Sequence, residues 1–104
     1  MNQFKINFDD LEWQNASKGA RFKAFQRADR QIRLVEFTRD FVEEEWCFKS
    51  HIGFVLEGEI EINFSGKTVN YTAGEGIFIP AGENNKHKAR SVTNVVKLFL
   101  VEDL

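Results

Sequence analysis

Short segments in which apolar and polar residues alternate, separated by turn-forming residues, recur through the sequence from residue 20 onward. In the clearest of them, Ile60, Ile62 and Phe64 alternate with polar residues, which is the period of a strand with one buried face. Residues 65–67 follow with the composition of a hairpin turn. A sustained helical stripe is absent from the sequence, apart from a short helical turn expected near residues 9–13. The alternation therefore predicts an all-β chain.

The predicted strands are residues 20–26, 31–38, 41–48, 51–57, 59–64, 68–72, 76–79, 86–91 and 95–102. Many short strands in a chain of 104 residues are typical of a sandwich or a barrel, and closure of a barrel removes exposed sheet edges. A chain of this length supports one hydrophobic core but not two. We therefore predict a single domain over residues 1–104, with the barrel between residues 20 and 102.

Charge and hydrophobicity argue against several classes of partner. The 14 Lys and Arg residues are outnumbered by 16 Asp and Glu residues, so no basic excess attracts a phosphate backbone or an anionic membrane. No apolar run approaches the roughly 20 residues of a membrane-spanning helix, and residues 1–5 lack the apolar core of a secretory signal. Cys47 is the only cysteine and cannot form an internal disulfide, which suits a reducing compartment. We expect a cytoplasmic protein that binds neither nucleic acid nor membranes.

Two segments that contain glycine resemble the sequence motifs of cupins. Gly74, Pro80 and Gly82 have the spacing of the second cupin motif, and Gly58 lies in a segment similar to the end of the first motif. Gly58 and Gly82 are each expected at a turn that a side chain would strain. The resemblance covers residues 31–101. It implies the double-stranded β-helix, or jelly-roll barrel, of a small single-domain cupin.

By this resemblance, both histidines lie at or beside positions that carry metal ligands in cupins. His51 falls where cupins usually have a glutamate, and Glu45 and Cys47 fall where they have paired histidines. Asn85 occupies the histidine position of the second motif, and His87 lies two residues further along. Alternate residues of a strand share a face, so Glu45 would point with Cys47, and Asn85 with His87. The resemblance thus implies a metal site formed by Cys47, His51, His87 and Glu45.

Such side chains would form a mixed ligand set of sulfur, nitrogen and oxygen. Thiolate and imidazole suit Zn, Ni or Fe(II) better than Mg or Ca. Phe54, Phe78 and Asn85 are expected to border a pocket for a small-molecule ligand. The structural alternatives are that Cys47 packs as a small hydrophobe, that Glu45 and the histidines are surface residues, and that the phenylalanines belong to the core or to a dimer interface.

The resemblance predicts a small cupin that binds a metal ion, a small molecule or both inside its barrel, with a non-standard ligand set. Cupins include dioxygenases and isomerases, so an enzymatic role would be metal-dependent and of one of these kinds. The alternative is a metal-free cupin that binds or senses a ligand without catalysis. No phosphate-binding loop or catalytic serine motif occurs in the sequence, and no nucleotide cofactor is expected.

A concentration of apolar residues in positions 1–15 leads us to expect a homodimer. Phe4, Phe8 and Trp13 precede the predicted barrel strands, and a short barrel cannot bury all of them by itself. The resemblance implies that this segment packs on a second copy of the chain or adds a strand to it.

Overall fold

The computed structural model describes residues 3–104, and the regular structure in this range consists of β-strands and two short 3-10 helices. The strands are β1 (Gln14–Ser17), β2 (Ala20–Arg27), β3 (Arg30–Thr38), β4 (His51–Glu57), β5 (Glu59–Asn63), β6 (Thr68–Thr72), β7 (Gly76–Ile79), β8 (Lys88–Ser91) and β9 (Val95–Asp103). The 3-10 helices are Phe8–Asp10 and Glu83–Asn85. The all-β prediction is confirmed. Within residues 3–104, no helix is long and apolar enough to cross a membrane.

The strands form two antiparallel sheets that face each other. The larger sheet has the strand order β1-β2-β3-β9-β4-β7, and the smaller sheet has the order β6-β5-β8. In β9, near the centre of the larger sheet, Val96, Leu98, Leu100 and Glu102 are buried, and the residues between them are more exposed. This alternation points one face of the sheet toward the core and the other toward solvent.

Both sheets contribute aliphatic side chains to the core. Val55 and Val96 of the larger sheet are fully buried, as is Ile60 of the smaller sheet. Burial of side chains of this size contributes about 1.5–3 kcal/mol each. Because the core fixes the rotation of each strand, it also determines which residues at the strand ends point inward, including His51 at the start of β4 and Glu102 near the end of β9.

Gly58 lies where the chain leaves the larger sheet after β4 and enters the smaller sheet with β5. Its φ angle is +81°, in the left-handed region that favours glycine. A Cβ atom at this position would lie 2.0 Å from the backbone oxygen of Val95. The turn therefore needs glycine both for its backbone angle and for the close approach of β9.

The predicted strand at residues 41–48 is wrong. Only two isolated bridges occur in this segment, from Val42 to Arg90 and from Cys47 to His87. Between the bridges, the backbone N–H of Ala89 donates to Oε1 of Glu43 at 3.0 Å, so a side-chain carboxylate takes the place of a backbone acceptor. A regular ladder cannot continue through that bond, and the strict alternation expected for Glu45 and Cys47 does not hold.

Two further boundaries differ from the prediction. Residues 14–17, expected to be irregular, form β1 and pair with β2 through a register that shifts between Asn15 and Ser17. The strand expected to begin at residue 86 begins at Lys88, because Glu83–Asn85 forms a 3-10 helix. Asn85 and His87 are therefore not successive inward positions of one strand.

The N-terminal segment packs on its own chain where the structure describes it. The Phe8 ring contacts the Phe99 ring edge-on, with 6.2 Å between centroids, and the Phe8 carbonyl accepts a hydrogen bond from Nζ of Lys23. The guanidinium of Arg21 lies 4.0 Å from the centre of the Trp13 ring. Residues 1–2 of the predicted 1–15 segment lie outside the described residues.

Candidate metal centre

A pair of backbone hydrogen bonds brings the first two side chains of the site together. The N–H of Cys47 donates to the carbonyl of His87 at 2.8 Å, and the N–H of His87 donates to the carbonyl of Cys47 at 3.0 Å. This reciprocal pair ties the irregular segment before β4 to the residue before β8. Four residues after Cys47, the chain enters β4 at His51. Three side chains from two distant parts of the sequence therefore meet at one end of the sheet.

Cys47, His51 and His87 each offer one ligand atom, and these three atoms lie within 4.8 Å of one another. Sγ of Cys47 lies 3.6 Å from Nε2 of His51. The two imidazole rings are arranged edge to face, with 5.1 Å between their centroids. The separations place the three atoms around a common point.

The protonation of His87 follows from its neighbours. Its Nδ1 lies 3.0 Å from the carbonyl oxygen of Asn85, which can only accept, so we assign the hydrogen to Nδ1. Nε2 then carries a lone pair. It is fully buried and has no hydrogen-bond partner among residues 3–104, and the side chain as a whole is 2% exposed. A buried polar atom without a partner is uncommon, and this nitrogen is available to a water molecule, an ion or another ligand.

His51 has a carboxylate on one side and a thiol on the other. Its Nδ1 lies 2.6 Å from Oε2 of Glu102, and its Nε2 faces Cys47. Because a carboxylate accepts, Nδ1 carries a hydrogen and donates to it. Both histidines therefore present Nε2 to the cluster.

Glu102 is buried and accepts hydrogen bonds from three side chains. Nε and Nη2 of Arg33 donate to its two oxygens at 2.5 and 2.7 Å, and Nε2 of Gln31 donates at 2.9 Å, in addition to the bond from His51. Burial alone would raise the pKa of this carboxyl, but the bonds from His51 and Arg33 lower its pKa to about 2. Glu102 is therefore ionised throughout the physiological pH range.

Cys47 and His51 form a thiolate and imidazolium pair at neutral pH. The hydrogen bond from His51, with a contribution from nearby His87, lowers the pKa of the Cys47 thiol to about 5. Burial lowers the pKa of His51, but the bonds to Cys47 and Glu102 outweigh it and raise that pKa to about 9. Burial lowers the pKa of His87, but the nearby Cys47 and the bond to the Asn85 carbonyl outweigh this effect and raise that pKa. Nε2 of His87 nevertheless does not reach hydrogen-bond geometry with Sγ of Cys47.

A cavity of about 740 Å³ adjoins the cluster, and His51 and His87 are part of its wall. Most of its inner wall is apolar, formed by Phe22, Val35, Phe37, Ile60, Ile62, Ile77, Ile79, Leu98 and Leu100. Arg33 and Glu43 add polar groups, and burial raises the pKa of Glu43. An apolar chamber with a few polar groups beside potential metal ligands is the usual form of a small-molecule site.

The structure leaves the other predicted site residues outside the cluster. Glu45 is exposed near the cavity mouth, and the Asn85 side chain lies by the carbonyl of Ala81 rather than in the cavity. Phe54 and Phe78 are 44% and 75% exposed. Both side chains lie on the outer face of the larger sheet, because the buried positions of β4 and β7 alternate with Phe54 and Phe78.

Sequence reasoning missed Glu102, Arg33 and Glu43. A usable signal existed for Glu102, because it shares the phase of Val96, Leu98 and Leu100 in β9 and so had to point inward. A charged residue at such a position requires a partner. Glu43 belongs to the acidic run 43–45, and the sequence gives no sign that it differs from its neighbours, because such runs usually face solvent.

The donor set fits a divalent transition metal ion. A thiolate and two imidazole nitrogens suit borderline-soft ions such as Zn, Ni or Fe(II), and three protein ligands leave a position open for water or another ligand. The unpaired Nε2 of His87 is the observation that tests this fit, because an ion at the cluster would satisfy it. Cys47, His51 and His87 are the residues that could hold it.

The chain belongs to the cupin family: the family model for the cupin domain matches residues 49–102, more than half of its length. The confirmed resemblance, together with the two facing sheets, makes the fold the jelly-roll barrel of a small cupin. No curated protein sequence matches the chain.

Solved structures support the same fold. KdgF from a Halomonas species is similar with a TM-score of 0.76 and 23% identity, over 98% of this chain and 95% of that chain. The polyketide cyclase RemF from Streptomyces resistomycificus has a TM-score of 0.80 and 20% identity, over 98% of this chain and 80% of that chain. A cupin-2 domain-containing protein from Shewanella frigidimarina has a TM-score of 0.68 and 26% identity, over 95% and 94%. The first two likenesses concern the fold alone.

Proposed function

We propose that this cupin binds a divalent transition metal ion through Cys47, His51 and His87. The observation that carries the proposal is the convergence of three ligand atoms within 4.8 Å, one of them the buried Nε2 of His87 that has no partner in the described part of the chain. A buried imidazole nitrogen without a hydrogen bond costs free energy, and a metal ion would remove that cost.

We propose Zn, Ni or Fe(II) as the ion. Sulfur and nitrogen donors disfavour Mg and Ca, which prefer oxygen ligands. Glu45 is exposed, and we do not include it in the ligand set. The adjoining cavity, which His51 and His87 line, would give a further ligand access to the ion.

The adjoining cavity is proposed to take a small, largely apolar molecule with a polar group that reaches the metal. Its volume of about 740 Å³ lies within the range of small-molecule sites, about 300–1,000 Å³. When bound, the ion would polarise a carbonyl or lower the pKa of a bound water. Arg33 and Glu43 are among the polar groups of this chain that line the same space, together with Lys18, Arg21, Asp40, Glu44 and Glu45.

The test is the metal content of protein purified without a histidine tag, followed by titration with Zn(II), Ni(II) and Fe(II) against a chelating dye. We expect one equivalent of metal per chain. Cys47→Ser is a nearly isosteric change at a half-buried position. Loss of a residue that only hydrogen-bonds to a metal ligand weakens binding by up to about 100-fold, so loss of the ligand Cys47 itself should weaken binding by at least that factor.

Glu45→Gln is the matched control because it changes an exposed acid two residues from Cys47. It should leave metal binding unchanged. Stoichiometric binding that survives both Cys47→Ser and His87→Ala in folded protein would place the metal elsewhere and overturn the proposal.

A metal-free ligand-binding cupin is the second candidate. The observation in its favour is that Cys47 and His51 already neutralise each other as thiolate and imidazolium, and that Glu102 completes the bonds of His51. Untagged protein that contains no metal and takes up none in titration would favour this function, with the cavity as the binding site.

We also propose that the protein is a cytoplasmic homodimer. The support for a second copy is a group of apolar side chains on the outer face of the larger sheet, namely Ile52, Phe54 and Phe78, all of which are exposed. They lie on neighbouring strands at the edge of that sheet, where Ile52 pairs with Phe78. The single, unpaired Cys47 supports a reducing compartment.

A further inference from the structure

We propose that Glu102 is a positioning residue of the metal centre, which holds His51 in the tautomer and orientation that present Nε2 to the ion. The inference rests on the proposed metal binding. Glu102 lies 51 positions from His51 in the sequence. Among the contacts described, His51 is the only proposed metal ligand that Glu102 touches.

The geometry of Glu102 is that of a fully occupied acceptor. Oε1 accepts from Nε of Arg33 and from Nε2 of Gln31, and Oε2 accepts from Nη2 of Arg33 and from Nδ1 of His51. The residue is 5% exposed, so water does not compete for these bonds. Two bonds from the planar guanidinium fix the plane of the carboxylate, and the fixed carboxylate sets the direction of the His51 ring.

The bond to Glu102 also determines which nitrogen of His51 is available. An uncharged imidazole has one N–H and one lone pair, and the carboxylate requires the N–H at Nδ1. The lone pair then lies on Nε2, which faces Sγ of Cys47 at 3.6 Å. Carboxylate partners of this kind orient ligating histidines and raise their basicity in metal sites, and their loss weakens metal binding about 10- to 100-fold.

Glutamine at position 102 would break this arrangement without changing the size of the side chain. Every partner of Glu102 is a donor, so an amide NH₂ group must face at least one of them. Arg33 donates to both carboxylate oxygens, so either orientation of the amide turns its NH₂ group toward one guanidinium nitrogen and breaks the bidentate pair. With the NH₂ group on the side of His51, the hydrogen of the neutral ring moves to Nε2; with the amide oxygen on that side, the acceptor of the Nδ1 hydrogen loses its charge. In both orientations the preference for a lone pair on Nε2 is weakened.

The experiment compares Zn(II) affinity and Co(II) absorption spectra of four full-length chains: wild type, Glu102→Gln, Arg33→Gln and Glu61→Gln. Glu61→Gln breaks a bidentate pair with Arg90 on the protein surface and controls for loss of such a pair. Arg33→Gln removes the ion pair of Glu102 but keeps its carboxylate against His51. We expect Glu102→Gln to weaken Zn(II) binding about 10- to 100-fold, with a smaller loss for Arg33→Gln and none for Glu61→Gln.

The Co(II) spectrum gives a readout that a general loss of stability would not produce. In Glu102→Gln the thiolate charge-transfer band from Cys47 should remain, whereas the d–d bands should shift because one imidazole is lost or displaced. Equal Zn(II) affinities for wild type and Glu102→Gln, or equal losses for Glu102→Gln and Arg33→Gln, would overturn the positioning role. Wild-type protein that binds no Zn(II) would instead refute the metal site itself.

Glu102→Asp keeps the inference testable where Glu102→Gln does not fold. Aspartate retains the charge opposite Arg33 but withdraws the carboxylate from His51 by one methylene group. It should therefore lose Zn(II) affinity like Glu102→Gln while its melting temperature stays closer to that of wild type. Unchanged affinity in folded Glu102→Asp would contradict the role of the His51 contact.

Discussion

At the scale of single residues, the proton shared by Cys47 and His51 decides how the site responds to pH. The thiol pKa of about 5 and the imidazole pKa of about 9 mean that the metal-free pair keeps one proton, on His51, between these values. A metal ion needs the lone pair of Nε2 and must displace that proton. Metal uptake at the proposed site would therefore release this proton at neutral pH.

We predict that Zn(II) affinity rises with pH up to about 9 and that binding at neutral pH releases at least one proton per ion. The sign follows from the raised pKa of His51, which keeps the competing proton bound until the pH approaches 9. Below about pH 5, Cys47 also takes up a proton, and the dependence should steepen. Calorimetric titration in buffers of different ionisation enthalpy measures the released protons. Affinity that levels off already near pH 6.5, the value of an ordinary histidine, would contradict the prediction.

At the scale of secondary-structure elements, the turn after β4 determines how the two sheets are connected. Gly58 combines a φ of +81° with a close approach to the Val95 carbonyl, whereas Gly82 has a φ of +121° and open space where a Cβ would lie. Substitution of Gly82 therefore tests backbone strain alone, whereas substitution of Gly58 tests strain and steric overlap together. Of these two glycines, only Gly58 combines both effects.

We predict that Gly58→Ala lowers the free energy of unfolding by more than about 3 kcal/mol, because a backbone clash adds to the strain of an unfavourable φ. The matched variant Gly82→Ala should lose only the strain, about 1–3 kcal/mol. Urea denaturation followed by circular dichroism measures both. Equal losses would mean that the close approach to β9 does not matter for stability.

The segment between β3 and β4 shows how an element can carry the site without being regular. Its two bridges to the edge of the smaller sheet, at Val42 and Cys47, fix its ends, and Glu43 bonds the Ala89 N–H between them. This irregular path points Cys47 into the cluster and leaves Glu45 exposed. A regular strand would have turned both side chains to the same face.

At the scale of the whole molecule, the exposed apolar face at the edge of the larger sheet bears on the proposed homodimer. Phe78 is 75% exposed and neighbours Ile52 and Phe54 across the ladder of β4 and β7. An apolar patch on an edge strand is unfavourable in water and is commonly covered by a second subunit. Covering it would not obstruct the cavity, since these side chains lie on the opposite face of the sheet.

We predict a dimer mass in light scattering at micromolar concentration, and a monomer mass for Phe78→Asp. The aspartate would place a charge in the centre of the apolar contact. Val42→Asp is the control, because Val42 is 58% exposed but lies beside the smaller sheet. It should remain dimeric. A monomer mass for the wild-type protein would refute the homodimer.

The all-β class, most strand positions and the choice of Cys47, His51 and His87 were accessible from the sequence. Apolar alternation is a local property, so it indicates which residues of each strand face inward, and the cupin motifs identified the candidate ligands. The strand proposed for residues 41–48 failed because a side-chain bond from Glu43 interrupts the ladder, which local alternation does not report. The same failure removed Glu45 from the cluster.

Only the tertiary structure decided what completes the site. Glu102 reaches His51 because β4 and β9 are neighbours in the larger sheet, and it meets Arg33 because β3 pairs with β9 on the other side. Such contacts depend on strand order and register, which are set by the packing of the whole core. The sequence alone thus determined which side chains are chemically able to hold a metal ion, and the pairing of distant strands decided how their lone pairs are oriented.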